Sequence, residues 1–243
     1  MFRHVFILTL LSVSLSYADS ADDLVAQAAR AYAKESSSFN KLKTMVVTEK
    51  GTVNQGGKST PGVRESHIVW PSHYLAQFTL GEKPGTVTVT LCTNGDQGWR
   101  SSTGTPPGDL SIAELNEMRI DIYALWVCSL LFLKEGGTKF TAIPDAKVEG
   151  VTCKGLLINR RGYPDISLYF DSEKYLLRKA SYKGRELGVA KQKELFFSDH
   201  KETGGLMLPT KSALRLDGKE VFTWTSIEYT FPDSIDKKKF AKP

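Results

Sequence analysis

The chain has 243 residues, 41% of them hydrophobic and 24% charged, with a formal net charge of +5. That supplies a substantial core, in one large β domain or two small ones. The mild charge, together with the export signal described next, argues against nucleic acid as a partner.

The first residues are Met1, Phe2, Arg3 and His4, followed by an apolar run from Val5 to Leu15 and then Ser16-Tyr17-Ala18. Small residues stand at the positions a signal peptidase reads, so residues 1–18 are expected to be a secretory signal and residues 19–243 the exported chain. A membrane anchor is the rival reading, but the run is well short of the ~20 residues that a spanning helix needs. No Cys follows the cleavage site, so the exported chain is expected to be released into the periplasm or beyond rather than tethered by an acylated N-terminal Cys. Cys92, Cys128 and Cys153 are an odd number, which allows at most one internal disulfide. None has a Cys or His neighbour at metal-ligand spacing, and no metal or other cofactor is expected.

Leu24, Val25, Ala28, Ala31 and Tyr32 recur at spacings of three and four behind Ser20, which predicts an amphipathic helix over residues 20–36. From Leu42 the period becomes two, with strands predicted at Leu42–Val53, Val63–Trp70, Tyr74–Leu80, Thr86–Cys92 and Gly98–Ser101. Asn94-Gly95 and Asp217-Gly218 are expected to form two-residue turns with positive φ at both positions. After a loop at residues 104–108, Ser111 and Glu114 form a capping-box signature for a helix or helix pair reaching Leu133 and ended by Gly136-Gly137. Its second half, from Ile122, is apolar nearly all round and too short to span a bilayer, so it is expected to be buried or to touch an apolar ligand. Alternation returns at Lys139–Ile143, Val151–Asn159, Asp165–Asp171, Leu176–Lys183, Lys193–Ser198, Met207–Leu216 and Phe222–Phe231. The total is about a dozen strands, and a sheet of that size must curl, close or split. Lys237, Lys238, Lys239 and Lys242 are read as a solvated tail, with weak contact to anionic headgroups as the alternative.

No phosphate-binding glycine loop, His-Glu-x-x-His or Gly-x-Ser-x-Gly occurs. The histidines after the signal are His67, His73 and His200, none with an acid at a diagnostic spacing. Asp199-His200 is read as the start of a hairpin turn with a surface His. Cys128, inside the apolar helix, is expected to be an inert thiol with a raised pKa. No catalytic residue is assigned.

Residues 168–178 read Leu-Tyr-Phe-Asp-Ser-Glu-Lys-Tyr-Leu-Leu-Arg, and residues 196–210 read Phe-Phe-Ser-Asp-His-Lys-Glu-Thr-Gly-Gly-Leu-Met-Leu-Pro-Thr. Asp217-Gly218-Lys219 follows, then Tyr229 to Pro243 with Phe240 near the end, while Thr93-Asn94-Gly95 leads to Trp99. In this order the segments resemble the LolA and LolB-like outer-membrane lipoprotein-sorting superfamily, and in particular the LolA-like exported proteins of environmental bacteria. The resemblance implies a mainly β, α+β fold: a half-open curved antiparallel barrel with an N-terminal helix and a helical lid over an apolar cavity. It implies a periplasmic carrier that holds a lipid or lipoprotein acyl chain and delivers it to an inner- or outer-membrane protein. Trp126, Leu130, Leu131 and Phe132 are then expected to line the lid, and Phe78, Leu80, Trp99 and Leu168 the sheet. In LolA an Arg-Pro pair ends a strand and its Arg helps hold the lid closed. The matching place here is Trp70-Pro71, and Arg64, earlier on the same run, does not inherit that role. The alternative is a non-catalytic envelope binding or sensing module on the same fold that contacts a protein or peptide.

Overall fold

Residues 20–243, described by a computed structural model, form one antiparallel sheet of thirteen strands in a meander. The signal expected at residues 1–18 lies outside the described residues. The strands are β1 Thr44–Gln55, β2 Lys58–Val69, β3 His73–Leu80, β4 Val87–Asn94, β5 Gln97–Ser102, β6 Thr105–Asp109 and β7 Thr138–Val148. They continue with β8 Val151–Arg160, β9 Ile166–Asp171, β10 Leu177–Glu186, β11 Val189–Thr203, β12 Leu206–Leu216 and β13 Lys219–Thr230. β1 pairs with both β2 and β13, so the first and last strands meet in the middle of the sheet. The two edges are β6 and β7, which are consecutive in sequence.

The connection between those edges is the helix α2, Ile112–Cys128, which packs on β9 and β10. Its start follows the expected capping box: the Ser111 hydroxyl accepts from the Glu114 N–H at 3.3 Å, and the Ser111 N–H donates to the Glu114 carboxylate at 2.9 Å. The segment is a pair of helical pieces that ends just before Gly136-Gly137, within the expected alternatives. The helix stops at Cys128, Leu130 adopts φ 59°, and a 3-10 turn follows at Leu131–Lys134. Leu130, Leu131 and Phe132 are all buried, so side-chain burial, worth ~1.5–3 kcal/mol for each large residue, holds a left-handed conformation that leucine otherwise disfavours.

The N-terminal helix α1, Ala21–Tyr32, is capped by Ser20, which accepts from the Asp23 N–H at 3.1 Å. It buries Leu24, Ala28 and Tyr32, one face at a spacing of four. On the strands, period-two alternation sets the inner face: Met45, Val47 and Glu49 on β1, and Ile166, Leu168 and Phe170 on β9 are buried. The opposite face carries a second, smaller core. Leu75, Cys92 and Trp99 stand side by side across β3, β4 and β5 beneath Phe240 of the 3-10 turn Lys237–Phe240. The lysine-rich C-terminus is therefore fastened to the sheet; Trp99 Nε1 donates to the Phe240 carbonyl at 3.0 Å and Lys242 pairs with Asp109 at 2.9 Å.

Three local expectations are corrected. Residues 105–109 form an edge strand, which tolerates Pro106 and Pro107 because only one side of it is paired. Asn94 pairs with Gln97, so the turn centres on Gly95-Asp96, with positive φ at Gly95 and not at Asn94. Asp199-His200 lies within β11, not at a turn; Asp199 has φ 53°, and the ladder resumes in the same register at His200. The Asp217-Gly218 turn is as expected, with φ 49° and 76° between paired Leu216 and Lys219. All three cysteines are free and buried.

At the junction of β1 and β13 a bulge sits between Lys50 and Gly51. A Cβ on Gly51 would collide with the Thr223 carbonyl oxygen and lie 2.9 Å from Trp224 Cα. Gly51→Ala should therefore destabilise the protein by about 1–3 kcal/mol. An unchanged chemical-denaturation midpoint would show that this seam has room to spare.

Candidate functional site

Between the inner face of the sheet and α2 lies a cavity of about 120 Å³. Met45 and Val47 of β1, Ile68 of β2, Leu208 of β12 and Ile227 of β13 form its apolar walls, and Leu125, Cys128 and Ser129 form its helical side. Burial pushes the Cys128 thiol up to about 12, which keeps it protonated and unreactive as expected.

Polar groups enter this apolar space in a few places. Glu49 and Arg64, opposite each other across β1 and β2, form a bidentate ion pair, with Arg64 Nη2 donating to Glu49 Oε1 at 2.6 Å. The Arg64 guanidinium lies 5.6 Å from the Phe78 ring centroid and 5.3 Å from that of Trp224. Burial works against its charge, and the Glu49 carboxylate more than offsets this, so Arg64 stays ionised. Ser66 and His200 also line the cavity, and both Ser66 Oγ and His200 Nε2 are buried without a hydrogen-bond partner. Burial and the nearby Arg178 push the His200 imidazole down to about 4. The surface histidine expected from sequence is thus a neutral, half-buried cavity residue.

α2 is fastened by a polar cluster. Asp121 accepts from Lys193 Nζ at 2.8 and 3.0 Å and from the Tyr182 hydroxyl at 2.9 Å, while Lys193 also reaches Glu186 at 3.1 Å. One turn earlier, Glu117 accepts from the Gly188 N–H of the β10–β11 turn at 2.8 Å. The Lys193 side chain is only 2% exposed. Burial lowers the pKa of its ammonium, but the two carboxylates raise it by more, so it remains charged.

Of the residues proposed from sequence, Trp70 alone lines this cavity. Leu130, Leu131, Phe132 and Leu168 fill the main core, and Phe78 packs against it, 5.9 Å from Phe222. Leu80 lies over Gly62 of the neighbouring strand. Trp126 is buried among Tyr123, Phe132 and the Arg160 guanidinium, 4.7 Å from its ring. Trp99 belongs to the core on the opposite face, because β5 turns it away from the helix. The sequence reading missed Glu49, Ser66, His200, Asp121 and Lys193. Glu49 and Ser66 had a legible signal: each shares the parity of apolar inward residues, Met45 and Val47 for one and Ile68 for the other.

No protein-family model and no curated protein matches the sequence. Solved structures do match. A LolA superfamily protein from Nitrosomonas europaea superposes with TM-score 0.55 at 13% identity, covering 92% of this chain and 98% of the other. A putative outer membrane lipoprotein-sorting protein domain from Vibrio parahaemolyticus gives 0.54 at 12%, covering 90% and 95%. The chain has a LolA-like fold. A DUF1329 family protein from Desulfovibrio piger shares the LolA-like arrangement, with TM-score 0.53 at 12% identity over 91% of this chain and 97% of that one. The match extends over nearly the whole of each chain, so the curved sheet and its helices correspond as one unit to the LolA-like open barrel.

Two outcomes test this site. Lys193→Met should loosen α2, seen as faster amide exchange across residues 112–128 while the β8–β9 core stays protected; uniform protection would show that packing alone holds the helix. His200 is the second. Its folded pKa lies below the ~6.5 of an unfolded histidine, so the unfolded chain takes up the proton first as pH falls. Its contribution to stability is complete above pH ~6.5 and is lost progressively toward pH ~4, and His200→Phe should flatten that part of the stability profile. An equally steep profile in the variant would assign the loss to other groups.

Proposed function

We propose that this chain is a non-catalytic carrier of the cell envelope, holding the acyl chain of a lipid or lipoprotein beneath α2 and passing it to a membrane partner. The observation that supports this most is the carbon-lined cavity between sheet and helix, with a polar fastening at one side of it. Each acyl methylene removed from water is worth ~0.8 kcal/mol, so a long chain needs a dry enclosure while it travels. The cavity is smaller than the ~150 Å³ that encloses one benzene, so it represents a closed state, and loading requires α2 to move away from the sheet. The Asp121–Lys193 contact is a restraint that such a movement must keep or break. No helix among the described residues is long and apolar enough to cross a membrane, and the signal expected at residues 1–18 supports action in the periplasm.

The alternative, a protein- or peptide-binding module, has one observation in its favour. At the β10–β11 turn Leu187 is 86% exposed and Val189 57% exposed, beside the point where Glu117 of α2 docks. Such a tip suits contact with a partner, and it is also what a carrier needs where it delivers its load.

Titration of the exported chain with a fluorescent fatty acid separates the two readings. A carrier should bind it at one site, and Leu125→Asp, which puts a charge on the cavity wall, should weaken binding at least about tenfold while the far-ultraviolet spectrum is unchanged. No saturable binding by the folded protein would refute the carrier.

A further inference from the structure

A groove of about 460 Å³ runs beside the cavity, on the far side of Trp70, which lines both. Its floor is an aromatic shelf: the Tyr163 and Tyr123 rings stack at 4.1 Å, and Tyr123 and Trp126 stack at 5.8 Å. Its two cations are each matched, Arg119 with Asp96 at 2.8 Å and Arg160 with Glu135 at 3.5 Å, so the groove is close to neutral. Two groups are left over. Trp70 Nε1 and the Tyr123 hydroxyl are both buried without a hydrogen-bond partner. An indole N–H can only donate, so Trp70 requires an acceptor, and burying such a group unpaired is costly. Tyr123 is 5% exposed, and burial pushes its hydroxyl up to about 12, which leaves it a neutral donor as well.

An acyl chain ends in a carbonyl, which only accepts. Both donors are closed off while α2, which carries Tyr123, lies on the sheet; when α2 moves to admit a chain, a chain lodged in the cavity and leaving it past Trp70 would bring that carbonyl to them. We infer that the groove receives the carbonyl end of the cargo, with Trp70 and Tyr123 as donors that select ester- or amide-linked acyl groups over alkyl chains of the same length. The neutral groove holds no unpaired cation, so a free carboxylate gains no ion pair there and a fatty acid is held by its alkyl chain in the cavity alone. This rests on the carrier reading and names the cargo class within it.

The test uses a matched pair of probes, a monoacylglycerol and the monoalkylglycerol ether of equal chain length, which differ only in the carbonyl. Both compete against a fluorescent fatty acid on the exported chain. The wild type should prefer the ester by about fivefold or more, the equivalent of one or two hydrogen bonds. Tyr123→Phe, which keeps the ring and removes the donor, should narrow that gap, and Trp70→Phe, which removes the indole N–H together with part of a cavity wall, should narrow it as well while weakening both probes. Equal wild-type affinities, or a gap that survives both substitutions, would overturn the inference while leaving the carrier standing. Failure of both probes and of the fatty acid to bind would refute the carrier, and this inference with it.

Discussion

A curved sheet with an apolar inner face has to be covered, and here the chain itself dictates what covers it. β6 and β7 are neighbours in sequence and opposite edges in space, so the segment joining them must cross the open side of the sheet. That segment is α2. Its second half meets the sheet on one side and the turn at Leu131–Lys134 on the other, which explains why Tyr123, Ala124, Trp126, Val127 and Cys128 are all buried although they point in several directions. The all-round apolar second half of the helix follows from its position as a strap.

A strap held by carbon alone would be hard to release. α2 instead sits over a cavity at Leu125 and Cys128 and is fastened by carboxylates at Glu117 and Asp121. Lys193 is buried by the sheet, but its partner Asp121 has a side chain 40% exposed, so water can compete for the pair from one side only. An ion pair in that setting gives direction at modest net stability, because desolvation offsets much of the attraction. Deeper inside, Glu49 and Arg64 cancel each other's charge on adjacent strands, so the interior remains neutral where it faces the cavity. A neutral, mostly carbon-lined space in which Ser66 Oγ, His200 Nε2 and Trp70 Nε1 lack hydrogen-bond partners is chemically closer to a binding site than to a finished core.

Much of the fold was legible in sequence because it rests on local rules. Alternation marked β9 and β13, Asp217-Gly218 marked its hairpin, and Ser111 with Glu114 marked the start of α2. The misses share a cause: tertiary contact overrode local preference. Pro106 and Pro107 read as loop and became an edge strand, and the point at which the helical segment divides, Leu130, carries no sequence signal because the core holds its side chain. The site was less legible. Apolar residues such as Phe132 and Leu168 look alike whether they fill a core or line a cavity, and the difference depends on how far α2 stands from the sheet. What distinguishes the cavity is polar residues at inward-facing positions, a signal that needs the strand register before it can be read.

The central claim is that the space under α2 exists to hold an acyl chain. Native mass spectrometry of the protein, purified from its own cells and followed by organic extraction, tests this most directly. The account expects a one-to-one complex whose extra mass is extracted as an acylated lipid or peptide. A protein at the bare polypeptide mass, with nothing extractable and no uptake of added acyl lipid, would contradict it.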